Sequence, residues 1–203
     1  DPQAGSLAWL GSLENGPLPE DQSLALELLQ RSLERQGTSI PPAGNAGGVN
    51  LIRLDNPLAS PFLPADAPAL QRPLEAGLRP CLIEARSSSP WQENPEEPLA
   101  LERLGAGPVL LQLFVRGNPF RGTASGGQEP WDAVIRQLQA CGRLAGLAVY
   151  GSPYLWQRLR PLLDPELPAA YSPGQMPLAQ VVLLHSLGLG TAASATDPSG
   201  FTD

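Results

Sequence analysis

The sequence predicts an α/β fold: a three-layer α/β/α sandwich around a mainly parallel sheet of about five or six strands, preceded by an N-terminal helical segment. Three observations point there. Short apolar runs alternate with amphipathic runs from about residue 49 to 188, the alternation of βαβ units with right-handed crossovers. The run "PVLLQLFV" (108–115) is almost continuously apolar, as expected of a strand covered on both faces. Finally, 203 residues with 42% hydrophobic content suffice for one core of ordinary domain size.

The elements follow in order. "SLAWLGSLENG" (6–16) reads as a helix, with Ser6 as N-cap and Gly16 as stop. "EDQSLALELLQRSLERQG" (20–37) reads as a longer one: Leu24, Leu28, Leu29 and Leu33 recur at helical spacing. Asp21 caps its start, Arg31 and Arg35 suit its last turns, and Gly37 ends it. "TSIPPAGNAGG" (38–48) is a linker, since Pro and Gly there oppose both helix and strand. The first core strand is "VNLIRLD" (49–55). A short helix over 65–77 follows, capped by Asp66, with Pro68 in its first turn and Pro73 kinking it.

"RPCLIEA" (79–85) is the next strand, and a polar, Pro-rich loop spans roughly 86–98. A short helix over 98–105 leads to the strand at 108–115, and 118–127 is a loop. In the helix "EPWDAVIRQLQACG" (129–142), Trp131, Val134, Ile135 and Leu138 form one stripe. "AGLAVY" (145–150) is a strand. "SPYLWQRLRPLL" (152–163) is a helix with Ser152 as cap and Pro153 at its first position, where Pro is favoured. "LPAAYS" (167–172) is the last strand, and a helix over 175–188 closes the domain. The division is therefore a helical segment at 1–37, a linker at 38–48, a sandwich at 49–190 and a mobile polar tail at 191–203.

Charge and composition exclude several functions. The net charge is −7, all thirteen basic residues are Arg, and no basic stripe exists for a phosphate backbone to dock on. Nucleic acid is thus not an expected partner. Nor is a membrane, because no apolar run approaches the ~18 residues of a span. Neither GxGxxG nor GxxxxGK[ST] occurs, which argues against a stand-alone nucleotide binder. No cofactor and no metal are expected, since the single histidine, His185, sits inside the last helix without companion ligands. Cys81 and Cys141 lack CxxC spacing and read as two buried thiols. The chain begins without Met or a basic n-region and reads as part of something longer. The compartment stays unknown, with the cytoplasm as the default where no signal peptide is seen.

In an open parallel sheet, ligand groups gather beyond the carboxyl ends of the strands. The candidates there are Asp55, Asn56, Arg116, Asn118, Ser152 and Ser172. Glu84 also ends its strand, where a carboxylate is either functional or merely exposed. The loop "QENPEEP" adds Glu93, Glu96 and Glu97 as acid/base candidates, and Trp91 beside them offers an aromatic face for a sugar. The turns "YGSP" (150–153) and "YSPG" (171–174) each put a hydroxyl and free N–H groups at a helix start. That arrangement serves either an anion or hydroxyl site or simply a capped helix.

The stretch "LAGLAVYGSPYLWQRLRPLLDPELPAAYSPGQMPLAQVVLLHSLG" (144–188) resembles the end of the C-terminal domain of family 3 glycoside hydrolases. The features are a strand entering Gly-Ser-Pro, a short "PAAYS" strand and a Gln-containing helix ending in Leu-Gly. "VNLIRLDNPLASPF" (49–62) and "LQLFVRGNPFRG" (111–122) resemble earlier strands of that flavodoxin-like domain, and residues 1–37 resemble the helices that close the family's barrel. The "GSPY" and "AAYS" style looks closer to the β-N-acetylglucosaminidase branch than to the β-glucosidase branch.

The resemblance implies several things. The parent is a glycosidase acting on a carbohydrate substrate, its nucleophilic Asp lies on an upstream barrel that this chain lacks, and the barrel is the domain's natural partner. This chain alone would be inactive. In the acetylhexosaminidase branch the acid/base is a His on a barrel loop, which His185 does not match; in other branches a Glu of the C-terminal domain serves. The alternative is a non-catalytic carbohydrate-binding or protein-interaction module of the same fold.

Overall fold

The structure, a computed structural model, describes residues 19–41, 43, 47–54, 63–84, 100–116 and 131–190. Their centre is a six-stranded sheet. Its strands are β1 (Glu34–Gln36), β2 (Gly48–Leu54), β3 (Leu78–Glu84), β4 (Val109–Val115), β5 (Leu144–Gly151) and β6 (Ala169–Ser172), in the spatial order β1-β6-β5-β4-β2-β3. Every pair from β3 across to β6 is parallel, and β1 alone runs antiparallel, beside β6. The five parallel strands follow the flavodoxin-like order, in which the chain reverses its direction of winding between β2 and β4.

The helices are α1 (Pro19–Ser32), α2 (Pro68–Glu75), α3 (Trp131–Ala140), α4 (Pro153–Leu159) and α5 (Pro177–Ser186). The period-2 geometry of a strand sorts the core into two layers. On β4, Val109, Leu111, Leu113 and Val115 face the cluster with α3 and α4, whereas Leu110 and Phe114 face the cluster with α2 and α5. The stripe Trp131, Val134, Ile135 and Leu138 is the buried face of α3. Both faces of β4 are covered, as its continuous apolar run requires.

Several local expectations are corrected. The N-terminal helix stops at Ser32 rather than Gly37, and Glu34–Gln36 forms a strand on the edge of β6. A free ladder edge and the Glu34 carboxylate, which accepts from Trp156 Nε1 at 2.8 Å, outweigh helix propensity there. Asp21 lies in the first turn of α1 instead of capping it. The helix α2 begins after Ala67, without a side-chain cap from Asp66. The expected helix at 98–105 is one 3₁₀ turn, Leu101–Leu104. The helix at 152–163 is α-helical to Leu159 and 3₁₀ over Arg160–Leu162, where Pro161 lacks an amide hydrogen. Cys81 is partly buried and Cys141 exposed, so the thiols are free but not both core groups.

Pro73 lies inside α2, and the helix continues past it. A proline removes the hydrogen bond to the carbonyl four residues earlier, here that of Ala69. That carbonyl is buried, yet it accepts from Asn50 Nδ2 and from Gln112 Nε2, both at 2.8 Å. Gln112 Nε2 also donates to Asn50 Oδ1 at 2.7 Å, and Tyr150 Oη donates to Gln112 Oε1 at 3.1 Å. The Ala69 amide, one of the unpaired donors of the first helical turn, donates to Gln180 Oε1 at 3.0 Å. A fully buried polar network thus ties β2, β4 and β5 to α2 and α5.

Burial in this layer pushes the Tyr150 hydroxyl well above the ordinary phenol value, with Arg72 opposing in part. A phenol whose folded pKa is raised contributes stability that is fully present below its unfolded value of 10.0 and lost as pH rises beyond it. Tyr171 is raised in the same sense, by burial and then by Glu34. Urea denaturation between pH 9 and 11 is therefore expected to show falling stability, with a shallower fall in Tyr150→Phe. An unchanged slope in that variant would remove Tyr150 as the source.

Candidate functional site

The parallel strands end on one edge of the sheet, and the structure places three sequence-derived candidates along it. Ser152 follows β5. It is fully buried, and its Oγ accepts from the Leu155 amide at 3.3 Å as the N-cap of α4, with Pro153 at the first position. Such a cap contributes about 1 kcal/mol. Ser172 ends β6, is also buried, and accepts from the Gly174 amide at 3.3 Å. The turn at 171–174 is a joint between β6 and α5, with its hydroxyl engaged within the turn. Arg116 directly follows β4 and is exposed.

The turns after β5 and β6 are also braced against each other. Gln175 Nε2 donates to the Tyr150 carbonyl at 3.2 Å, and Gln180 Nε2 donates to the Gln175 carbonyl at 2.9 Å. Gly151 has φ of 95°, and a Cβ there would lie 2.5 Å from the Val115 carbonyl oxygen. Only glycine accommodates both that dihedral and that approach.

The side chain that sequence reasoning missed is Arg53. It is 2% exposed on the penultimate residue of β2, and its NH1 donates to the Phe114 carbonyl at 2.8 Å. Phe114 lies one residue beyond Leu113, the last β4 partner of β2. Two arginines therefore stand at the ends of the neighbouring central strands β2 and β4. This is where the winding reverses and where open α/β sheets place ligands. The signal was present in "LIRLD", a charge inside an apolar strand. The buried Arg53 guanidinium braces β2 against β4 through that carbonyl.

Asp55, Asn56, Trp91, Glu93, Glu96, Glu97 and Asn118 lie outside the described residues. Elsewhere, His185 is on the exposed side of α5, with Nδ1 3.3 Å from the Gly190 carbonyl. Among the described residues, no cluster of three or more His, Cys, Asp or Glu has metal-holding geometry, and no helix is long and apolar enough to cross a membrane.

The family described as "Bacterial Glycosyl hydrolase family 3 C-terminal domain" has a model that matches residues 43–188. This span runs from the start of the parallel sheet to the end of α5 and includes the whole winding-reversal edge. No curated protein matches the chain.

Proposed function

Since the chain belongs to the bacterial glycosyl hydrolase family 3 C-terminal domain family, we propose that it serves a β-N-acetylhexosaminidase- or β-glucosidase-type glycosidase. Its role there is to buttress the upstream catalytic domain, with the loops at its strand ends lining one wall of the sugar cleft. The family match carries this reading. Supporting it, the hydroxyls of Ser152 and Ser172 at the strand ends are engaged within the fold. A retaining glycosidase needs two carboxyl groups about 5 Å apart in the common arrangement, and the family resemblance puts the nucleophile on the upstream domain. Within this chain, Glu93, Glu96 and Glu97 are the acid/base candidates. Trp91, Asp55, Asn56, Arg116 and Asn118 are the candidates for sugar contacts.

The test is hydrolysis of an aryl N-acetyl-β-glucosaminide and an aryl β-glucoside by this chain and by a longer version carrying its natural upstream segment. Turnover is expected only in the longer one. Turnover by the 203-residue chain itself would overturn the supporting role. Silence from both would favour the non-catalytic module.

A further inference from the structure

Among the described residues, the longest helix is also the one that buries least. None of residues 20–32 of the 14-residue α1 is buried, whereas each of the other four α-helices has buried residues. A helix of this length is marginal in water and holds its shape by packing an apolar side. The side of α1 that meets the sandwich carries Gln22, Ala25, Leu26 and Leu29 and is only half-buried. Leu29 Cδ2 lies 3.3 Å from where a Cβ on Gly174 would stand. Leu24 and Leu28 lie about 110–150° round the helix from the centre of that side. They are 55% and 59% exposed and, four residues apart, form a second apolar stripe.

The cover for that stripe follows from where α1 stands. It precedes the span 43–188 that matches the family's C-terminal domain, and so lies on the side of the chain that leads to the upstream domain this family implies. Its C-terminal end is fixed to the sandwich, because β1 pairs with β6, Glu34 opposite Tyr171 and Gln36 opposite Ala169. That antiparallel pairing sets the end of α1 at the carboxyl edge of the sheet, beside Gly174 and along the same edge as the candidate site. The exposed Glu20 and Asp21 flank the stripe in the first turn of α1. The complementary surface is therefore an apolar strip with Arg or Lys at one end.

We propose that the upstream domain docks on α1 through Leu24 and Leu28, presenting an apolar strip with a basic group beside Glu20 and Asp21. The helix is then a strut, with the sandwich on one side and the upstream domain on the other. It brings that domain to the edge where β6 ends. The inference rests on the proposed function only in taking an upstream domain to exist, and it requires no turnover.

The test compares amide exchange over 19–32 in the 203-residue chain and in the longer version carrying its natural upstream segment. Exchange at least about tenfold slower is expected in the longer protein, as for a segment that gains buried contacts. In the longer protein Leu24→Asp/Leu28→Asp should remove that gain and Leu24→Ala/Leu28→Ala part of it. Gln30→Asp, about 140° round the helix from the stripe, should leave it. Because both leucines are exposed, the Asp pair leaves the sandwich of the 203-residue chain intact, which near-UV circular dichroism verifies. Equal exchange in the two lengths would overturn the proposal. So would a gain that survives the Asp pair, or one lost equally in Gln30→Asp. Protection already present in the 203-residue chain and lost with the Asp pair would also overturn it, in favour of a cover from within the chain if sedimentation shows a monomer and of a second copy if it shows a dimer. Turnover by the longer protein without the gain overturns this docking and leaves the glycosidase reading standing; the gain without turnover does the reverse.

Discussion

Trp156→Ala is expected to lower stability by about 4 kcal/mol, within the usual range for emptying a large aromatic site in a core. Trp156 is 1% exposed and stacks on Tyr171 with centroids 6.2 Å apart. Its indole N–H is also the tie that holds Glu34, and with it β1, against the sheet edge. The side chain therefore supports two things at once, the α4 layer and the antiparallel edge strand. Arg160 lies 5.6 Å over the ring on the solvent side and adds little beyond cover.

Urea denaturation measures the loss directly, and at about 2–4 °C per kcal/mol the melting temperature should fall by roughly 8–16 °C. Trp156→Phe separates the contributions. It keeps most of the bulk and loses the hydrogen bond, so a cost of about 1–2 kcal/mol is expected. A total loss below about 1 kcal/mol in Trp156→Ala would mean that the indole is not packed as described.

The second large effect lies in the buried network. Gln112→Leu keeps the volume and removes three hydrogen bonds at once. Asn50 Oδ1 and the Tyr150 hydroxyl lose their partner in a layer from which water is excluded, and a cost of about 3 kcal/mol follows. The Ala69 carbonyl makes this site unusual. With Asn50→Leu added it would lose both of its side-chain donors, and Pro73 has no amide hydrogen to replace them.

Pro73→Ala restores the missing helical amide. The double substitution Asn50→Leu/Gln112→Leu should therefore be less damaging in the Pro73→Ala background than in the parent, by about 1–2 kcal/mol. Equilibrium urea titrations of the four proteins in that cycle give the coupling. Additivity within about 0.5 kcal/mol would sink the idea that the two amides substitute for the proline's absent N–H.

The same network marks the limit of what periodicity conveys. Asn50 and Gln112 read as two polar interruptions in apolar strands, and Pro73 as a kink. Nothing in the local pattern says that all three meet at one carbonyl, since the contacts join residues 43 and 19 positions apart. Arg53 was missed for a related reason. A charge in a strand looks like an error of register until the neighbouring strand's carbonyl is seen to receive it.

Conversely, Ser152 was read as a cap because the signal is wholly local: a hydroxyl, then Pro, then an amphipathic run. Of the candidate site, the location at the strand ends was legible. Which groups there remain available was not, because a hydroxyl engaged by an amide three residues on looks the same in sequence as a free one.

By itself, then, the amino-acid sequence determined the alternation of strands and helices, the buried stripe of α3, the fully covered β4 and the three-layer α/β/α arrangement. All of these depend on hydrophobic period and on caps within a few residues of chain. Only the tertiary structure decided that Glu34–Gln36 leaves the helix to pair with β6, that the Ala69 carbonyl freed by Pro73 is taken up by Asn50 and Gln112, and that Arg53 is buried against the Phe114 carbonyl. Those outcomes depend on partners far away in sequence. A free ladder edge, a buried amide or an unpaired carbonyl exerts its several kcal/mol only once the fold has brought it into contact.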